Sequence, residues 1–196
     1  MEKKTIYLAS ASPRRREILT TAGFSPVIIK ADADESSVKF TKNEADAYVM
    51  ALARLKNEAA VRDNKNITSG IIITADTVVV GDEAQSPLGK PKSHEDAVAM
   101  LKSLSGRSHR VITGVMLTDI ESGKSSLFAE STEVIFRTLS DEEIEEYCSG
   151  NEPYDKAGGY GIQGKASVFV KAIVGDYFNV VGLPVCRVYK EIRQLM

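Results

Sequence analysis

Asp76 interrupts the most apolar run of the chain, Ile71-Ile-Ile-Thr-Ala-Asp-Thr-Val-Val-Val80. Rich in Ile and Val on both faces, this run reads as a central strand. A carboxylate inside such a strand costs several kcal/mol unless it is paired, hydrated or metal-bound. Strand-end carboxylates of α/β sheets commonly face a ligand crevice, whereas capping a neighbouring helix or pairing with a buried arginine are the structural alternatives. Asp32, Asp34 and Glu35 form a second acidic group, and with Asp76 they offer the oxygen ligands that suit Mg²⁺. Lys56, in Ala53-Arg-Leu-Lys56, and Lys90, held between Gly89 and Pro91, are candidate phosphate contacts.

Leu8-Ala-Ser-Ala-Ser-Pro-Arg-Arg-Arg-Glu17 reads as an anion trap at a strand-to-helix turn. Pro13 suits the first helical position with Ser12 as its N-cap, so backbone N–H groups and the positive dipole end point at the turn. Arg14, Arg15 and Arg16 add guanidinium donors matched to phosphate oxygens. A further candidate is the glycine-rich Tyr154-Asp-Lys-Ala-Gly-Gly-Tyr-Gly-Ile-Gln-Gly164. Its glycines allow close backbone approach, Tyr154 and Tyr160 offer ring faces, and Gln163 offers a paired donor and acceptor for a base edge.

The elements that must position these residues alternate between strand and helix in the first half, which argues for an α/β architecture. Thr5 to Ala9 and Pro26 to Ile29 read as strands around a helix that starts at Pro13 and ends near Gly23. Thr41-x-x-Glu44 is a capping-box pattern, predicting a helix from there through Arg62. A helix is expected from Ser93 to about Leu104, then strands over 110–120 and 127–137 joined by the Glu121-Ser-Gly-Lys124 turn. Ser140-x-x-Glu143 opens a short acidic helix, 168–174 reads as a strand, and 183–195 as a helix with an apolar stripe at Val185, Val188, Tyr189 and Ile192. Gly182 and Pro184 set the entry to that helix. The expectation is one domain over residues 1–196, built on a mixed sheet.

A net charge of −2 over 196 residues excludes an overall basic field for nucleic acid, so any phosphate-binding charge is local. No apolar run approaches a membrane span, and Met-Glu-Lys-Lys-Thr leads straight into a strand without a signal-peptide core, giving a cytoplasmic expectation and no membrane partner. Cys148 and Cys186 form no C-x-x-C pair and read as reduced thiols. His94 and His109 lack metal-ligand spacing and belong to no nucleophile–base–orienter set.

Taken together, Ser10-x-Ser-Pro-Arg-Arg15, Ala75-Asp-Thr77, Gly89-Lys-Pro91, Asp155-Lys-Ala-Gly-Gly-Tyr-Gly-Ile-Gln-Gly164 and Asn179-Val-Val-Gly-Leu-Pro184 resemble the Maf family, in order and over essentially the whole chain. The resemblance implies a long, curved mixed sheet flanked by helices, with two lobes around a nucleotide cleft, similar to the inosine triphosphate pyrophosphatase fold. It implies hydrolysis of a nucleoside triphosphate to monophosphate and pyrophosphate with a divalent metal, Mg²⁺ or Mn²⁺. Matched motif by motif, Asp76 becomes the general base, Arg14 and Thr77 substrate-selective contacts and Gln163 the base-reading residue. Ser10, Ser12 and Arg15 stand in the same substrate-binding motif; Lys56 and Lys90 match phosphate-site positions, and Glu35 joins Asp76 at the metal. Ser-Pro-Arg-Arg with Gly-Ile-Gln-Gly is similar to the branch acting on dTTP and UTP. Homodimerisation is a family-level expectation only. The competing readings are a non-catalytic nucleotide-binding regulator of cell division, which would need no water-activating carboxylate, and a phosphopeptide or nucleic-acid module using the arginines.

Overall fold

The computed structural model describes residues 4–81 and 87–196. Six strands form one mixed sheet in the order β2-β1-β3-β4-β5-β6. β1 (Ile6–Leu8) is parallel to both β2 (Val27–Ile28) and β3 (Ile71–Gly81). β3, β4 (Ser108–Asp119), β5 (Ser125–Phe136) and β6 (Val170–Val174) pair antiparallel. Parallel neighbours need long crossovers, supplied by α1 (Pro13–Thr21) between β1 and β2 and by α2 (Ala45–Asp63) between β2 and β3. The β4–β5 turn is local: the Asp119 N–H donates to the Lys124 carbonyl, and the Gly123 N–H donates back to Asp119.

The unequal lengths of β1 and β3 create the cleft. β1 covers β3 only from Ile71 to Ile73, its last link being the Ala9 N–H donated to the Ile73 carbonyl. Beyond that point β3 continues to Gly81 along β4, and among the described residues its other edge meets only an isolated bridge from Val79 to Leu88. Alternation along β3 turns Ile72, Thr74, Asp76 and Val78 toward α2, and Ile71, Ile73, Ala75 and Thr77 toward the opposite face. On that face Ile18 and Leu19 of α1 and Val188 and Ile192 of α6 (Val185–Leu195) close a core over Ile71 and Ile73. A second core joins α3 (His94–Leu104) and α4 (Asp141–Cys148) to the far end of the sheet through Leu101, Phe136, Ile144 and Tyr160. α2 can lie directly on β4 because a Cβ at Gly114 would collide with the Val49 carbonyl.

Most local signals hold. Ser93 accepts from the Asp96 N–H at the start of α3, and Ser140 and Glu143 form a reciprocal capping box on α4. The pattern at Thr41 does not open α2: Glu44 is the N-cap, and its N–H closes a turn onto the Thr41 carbonyl. Asn43 lies at φ 68°, a left-handed conformation that cannot continue a helix backward to Thr41. Ser12 does occupy the N-cap of α1, yet its hydroxyl makes no cap bond. The strand expected at 26–29 is reduced to Val27–Ile28, and residues 165–169 form a 3₁₀ turn ahead of β6. The helix expected at 183–195 begins at Val185, preceded by a separate short helix α5 (Tyr177–Val181) capped by Asp176. Gly182, at φ 128°, and Pro184 divide the two. Tyr189 leaves the apolar stripe: it is exposed and packs against Phe24. Both cysteines are free thiols.

Candidate functional site

Asp76 stands on β3 just past the end of β1, half-buried on the α2 face. Lys56 of α2 reaches it, Nζ donating to Oδ1 at 2.6 Å, and the same ammonium lies 3.1 Å from Glu35 Oε1. Buried polar ties fix this arrangement. Thr74 Oγ1 donates to the Ala53 carbonyl at 2.7 Å, one turn before Lys56. Next to Lys56, the Asn57 amide donates to the carbonyls of Ile72 and Met116 and accepts from Thr118 Oγ1. With the rotation of α2 set by these bonds, Lys56 is delivered over Asp76.

Of the acidic group on the loop, only Glu35 reaches the ammonium. Asp34 caps the 3₁₀ turn Glu35–Ser37 by accepting from the Ser36 N–H and hydroxyl. The Asp32 N–H is held by Asp63. The oxygen-rich set therefore narrows to two carboxylates converging on one cationic point, and no group of three or more His, Cys, Asp or Glu suited to a metal occurs among the described residues.

The three arginines diverge. Arg15 turns inward across the open edge of β3: Nη1 donates to the Ala75 carbonyl at 2.8 Å and to Ser10 Oγ at 3.1 Å, Nε to the Gly182 carbonyl at 2.9 Å, and Nη2 to Thr77 Oγ1 at 3.1 Å. Desolvation lowers its pKa, with nearby Asp76 acting in the opposite direction, but a guanidinium stays charged at neutral pH. One side chain thus ties the β1–α1 loop, β3 and the α5–α6 junction. Ser10 Oγ also accepts from the Ser12 N–H, and Thr77 Oγ1 meets Thr113 Oγ1 at 2.9 Å. Arg14 leans over the mouth, 3.5 Å from Asp155 of the glycine-rich segment, and Arg16 is exposed.

On the opposite wall, Gln163 is the third residue of a turn closed by the Gly164 N–H on the Gly161 carbonyl, and its exposed side chain lines the cleft. Lys90 is exposed on a loop fastened to the glycine-rich segment by the Gly158 N–H on the Gly89 carbonyl. The two tyrosines do not offer the free ring faces expected of them. Tyr160 is buried among aromatic rings with its hydroxyl 2.7 Å from His109 Nε2, and Tyr154 donates to the Cys148 carbonyl. Burial pushes His109 down to about 4, so the imidazole is neutral. His94 pairs at the surface with Glu145, which raises its pKa.

Ser10, Ser12, Arg14, Arg15, Glu35, Lys56, Asp76, Thr77, Lys90 and Gln163 all line a single cleft of about 1140 Å³. Asp155 and Lys156 line it too, and sequence reasoning did not single them out as site residues. The signal available was the alternation of charge in Glu152-Pro-Tyr-Asp-Lys156, directly before the glycines. Chemically, the cleft can receive a polyanion between cationic side chains, beside a carboxylate paired with an ammonium.

An α/β protein with a carboxylate–ammonium centre on its inner strand and guanidinium and ammonium groups around one large cleft is of the phosphate-ester-binding class. The chain belongs to the Maf family: the family described as Maf-like protein matches residues 5–195. It is 46% identical over 189 residues to the dTTP/UTP pyrophosphatase of Carboxydothermus hydrogenoformans, covering 96% of this chain and 97% of that one. It is 44% identical to the protein of the same name from a Geobacillus species, over 98% of each chain. The Alkaliphilus metalliredigens dTTP/UTP pyrophosphatase is 47% identical over 93% of this chain and 91% of its own. Among the described residues no helix is long and apolar enough to cross a membrane.

Proposed function

We infer that this chain is a nucleoside triphosphate pyrophosphatase that hydrolyses dTTP and UTP to the monophosphate and pyrophosphate. Full-length similarity to enzymes of that name supports the substrate class. The observation that carries the mechanism is Asp76: a carboxylate on an inner strand, lining the cleft, paired with the Lys56 ammonium that Glu35 also meets. Asp76 orients a water and takes its proton as the water oxygen bonds to the α-phosphorus. The bond from that phosphorus to the bridging oxygen breaks, and pyrophosphate leaves. Arg14, Lys56 and Lys90 hold the triphosphate by charge, a form of stabilisation that grows as negative charge shifts onto the leaving group. Arg15, committed to four protein acceptors, keeps Ser10, Thr77 and the Ala75 carbonyl in place around the substrate. Gln163 presents a donor and an acceptor to the pyrimidine edge.

A divalent cation, Mg²⁺ or Mn²⁺, fits Glu35 and Asp76, because two carboxylates converging on one cationic point are the protein share of a site completed by water and phosphate. When bound, the ion supplies charge neutralisation to the triphosphate. The dTTP and UTP pools of the cytoplasm are the setting this activity fits.

The test is turnover of a nucleoside triphosphate panel with Mg²⁺, resolving pyrophosphate from orthophosphate and monophosphate from diphosphate. Pyrophosphate plus monophosphate, chiefly from dTTP and UTP, is the expected pattern. Asp76→Asn keeps the size but removes the base and should lower kcat on the order of 100- to 10,000-fold, with the fold intact by circular dichroism. Near-normal kcat in that variant removes Asp76 from the role of base. Binding without turnover by the unaltered chain would favour the regulatory reading.

A further inference from the structure

We propose that Glu152 is a positioning residue for base selection, its carboxylate holding the turn that presents Gln163 to the nucleotide. The proposal rests on the reading of Gln163 as the base contact and adds what fixes that contact in space.

The Gln163 side chain makes no bond among the described residues, so its placement comes entirely from its backbone. That backbone is a four-residue turn, Gly161 to Gly164, lying in a segment of short 3₁₀ turns with no strand or long helix to support it. It is anchored at both ends. Ahead of it, the Tyr160 hydroxyl is joined to His109 in the second core. Behind it, the Lys165 N–H donates to Glu152 Oε2 at 3.0 Å.

Glu152 is itself held from the core side. Its Oε1 accepts from the Tyr147 hydroxyl at 3.1 Å, Tyr147 being buried in α4, and its carbonyl accepts from Lys156 Nζ. The carboxylate therefore links a fixed helix to the C-terminal end of the turn. It fills the space against Gly164, where any Cβ would collide with it. A glutamate suits this position because two donors, a hydroxyl and an amide, arrive at two oxygens. Glutamine can keep the Lys165 bond on its oxygen and donate its NH₂ to the Tyr147 hydroxyl oxygen, whereas alanine loses both bonds.

UTP and CTP differ at the edge that a carboxamide reads, so the ratio of their kcat/KM values reports how well Gln163 is placed. The experiment measures that ratio in the unaltered protein, Glu152→Ala, Glu152→Gln, Gln163→Ala and the Glu152→Ala/Gln163→Ala double variant. Glu152→Ala should lower the preference for UTP about tenfold, through KM for UTP, with kcat changed less than about threefold. Glu152→Gln should restore most of the preference, which a merely structural defect would not do. The double variant should be no less selective than Gln163→Ala alone, the non-additivity expected when one residue acts through another. Unchanged preference in Glu152→Ala, with loss in Gln163→Ala, overturns the positioning role and leaves the base contact standing. A further full loss in the double variant also overturns the role, because Glu152 then acts independently. Unchanged preference in Gln163→Ala overturns the base contact and the proposal together. If Glu152→Ala does not fold, Gly164→Ala probes the same junction from the turn side and should lower the preference similarly; an unchanged preference there overturns the proposal.

Discussion

The two walls of the cleft are built by different means. Asp76, Lys56 and Thr77 stand on the long strand β3 and helix α2, where sheet register, the Thr74 and Asn57 bonds and the close approach at Gly114 fix them. Asp155 stands on a short 3₁₀ turn and Gln163 on the hydrogen-bonded turn Gly161–Gly164, both stitched to the core by individual side chains, chiefly Tyr160 and Glu152. Bond-breaking chemistry tolerates little displacement of its groups, so it belongs on the wall whose geometry is collectively determined. On the proposed reading, base selection falls to a wall whose geometry depends on a few separable contacts, and can change without rebuilding the sheet.

Damage to the first wall should therefore lower kcat and stability together, whereas damage to the second should alter KM and selectivity. The largest effect is expected from Gly114→Ala. Its Cβ forces α2 off β4, which should destabilise the protein by about 3 kcal/mol and carry Lys56 away from Asp76. Denaturant unfolding and kcat measured on the same preparation should fall together; a loss of stability with full kcat would break the comparison. Arg15→Lys comes next. A single ammonium cannot reach Ser10, Ala75, Thr77 and Gly182 at once, so kcat should drop on the order of 100-fold. Retention of kcat would show that the Arg15 ties are dispensable for the chemistry.

The smallest effect lies beneath the second wall. The buried His109 titrates near 4 rather than 6.5, so the unfolded chain binds a proton there that the native protein refuses. Stability tied to this group is fully present above about pH 6.5 and is lost as pH falls toward 4, costing about 1 kcal/mol between pH 6 and pH 5. Denaturant midpoints across that range should show the slope, and His109→Gln should flatten it. Equal slopes in the two proteins would remove His109 as its source.

Much of the first wall was legible because its signals are local. A carboxylate in an Ile/Val run, proline after serine at a helix start, and serines at the starts of α3 and α4 each carry their own physics. The start of α2 was misplaced because the left-handed turn at Asn43 depends on the path of the preceding loop. Three consecutive arginines look equivalent as letters; only the rotation of α1 over the end of β3 sends Arg15 inward and leaves Arg14 at the mouth. α5 went unseen because it is a single short turn of helix, Tyr177–Val181, with no room for a periodic pattern. Glu152 was missed for a different reason: its partners Tyr147 and Lys165 lie on either side of it in sequence, and only the folded glycine-rich segment brings them to one carboxylate.

The stretch of β3 beyond the end of β1, which pairs with no strand on that edge among the described residues, carries one more consequence. An uncovered strand edge invites a second chain to add itself as a neighbouring strand, the first step toward aggregation. Here the Arg15 guanidinium occupies the Ala75 carbonyl and the Leu88 N–H occupies that of Val79, so an incoming strand finds those positions already engaged. The side chain that ties three segments around the cleft therefore also closes part of this edge to strand addition.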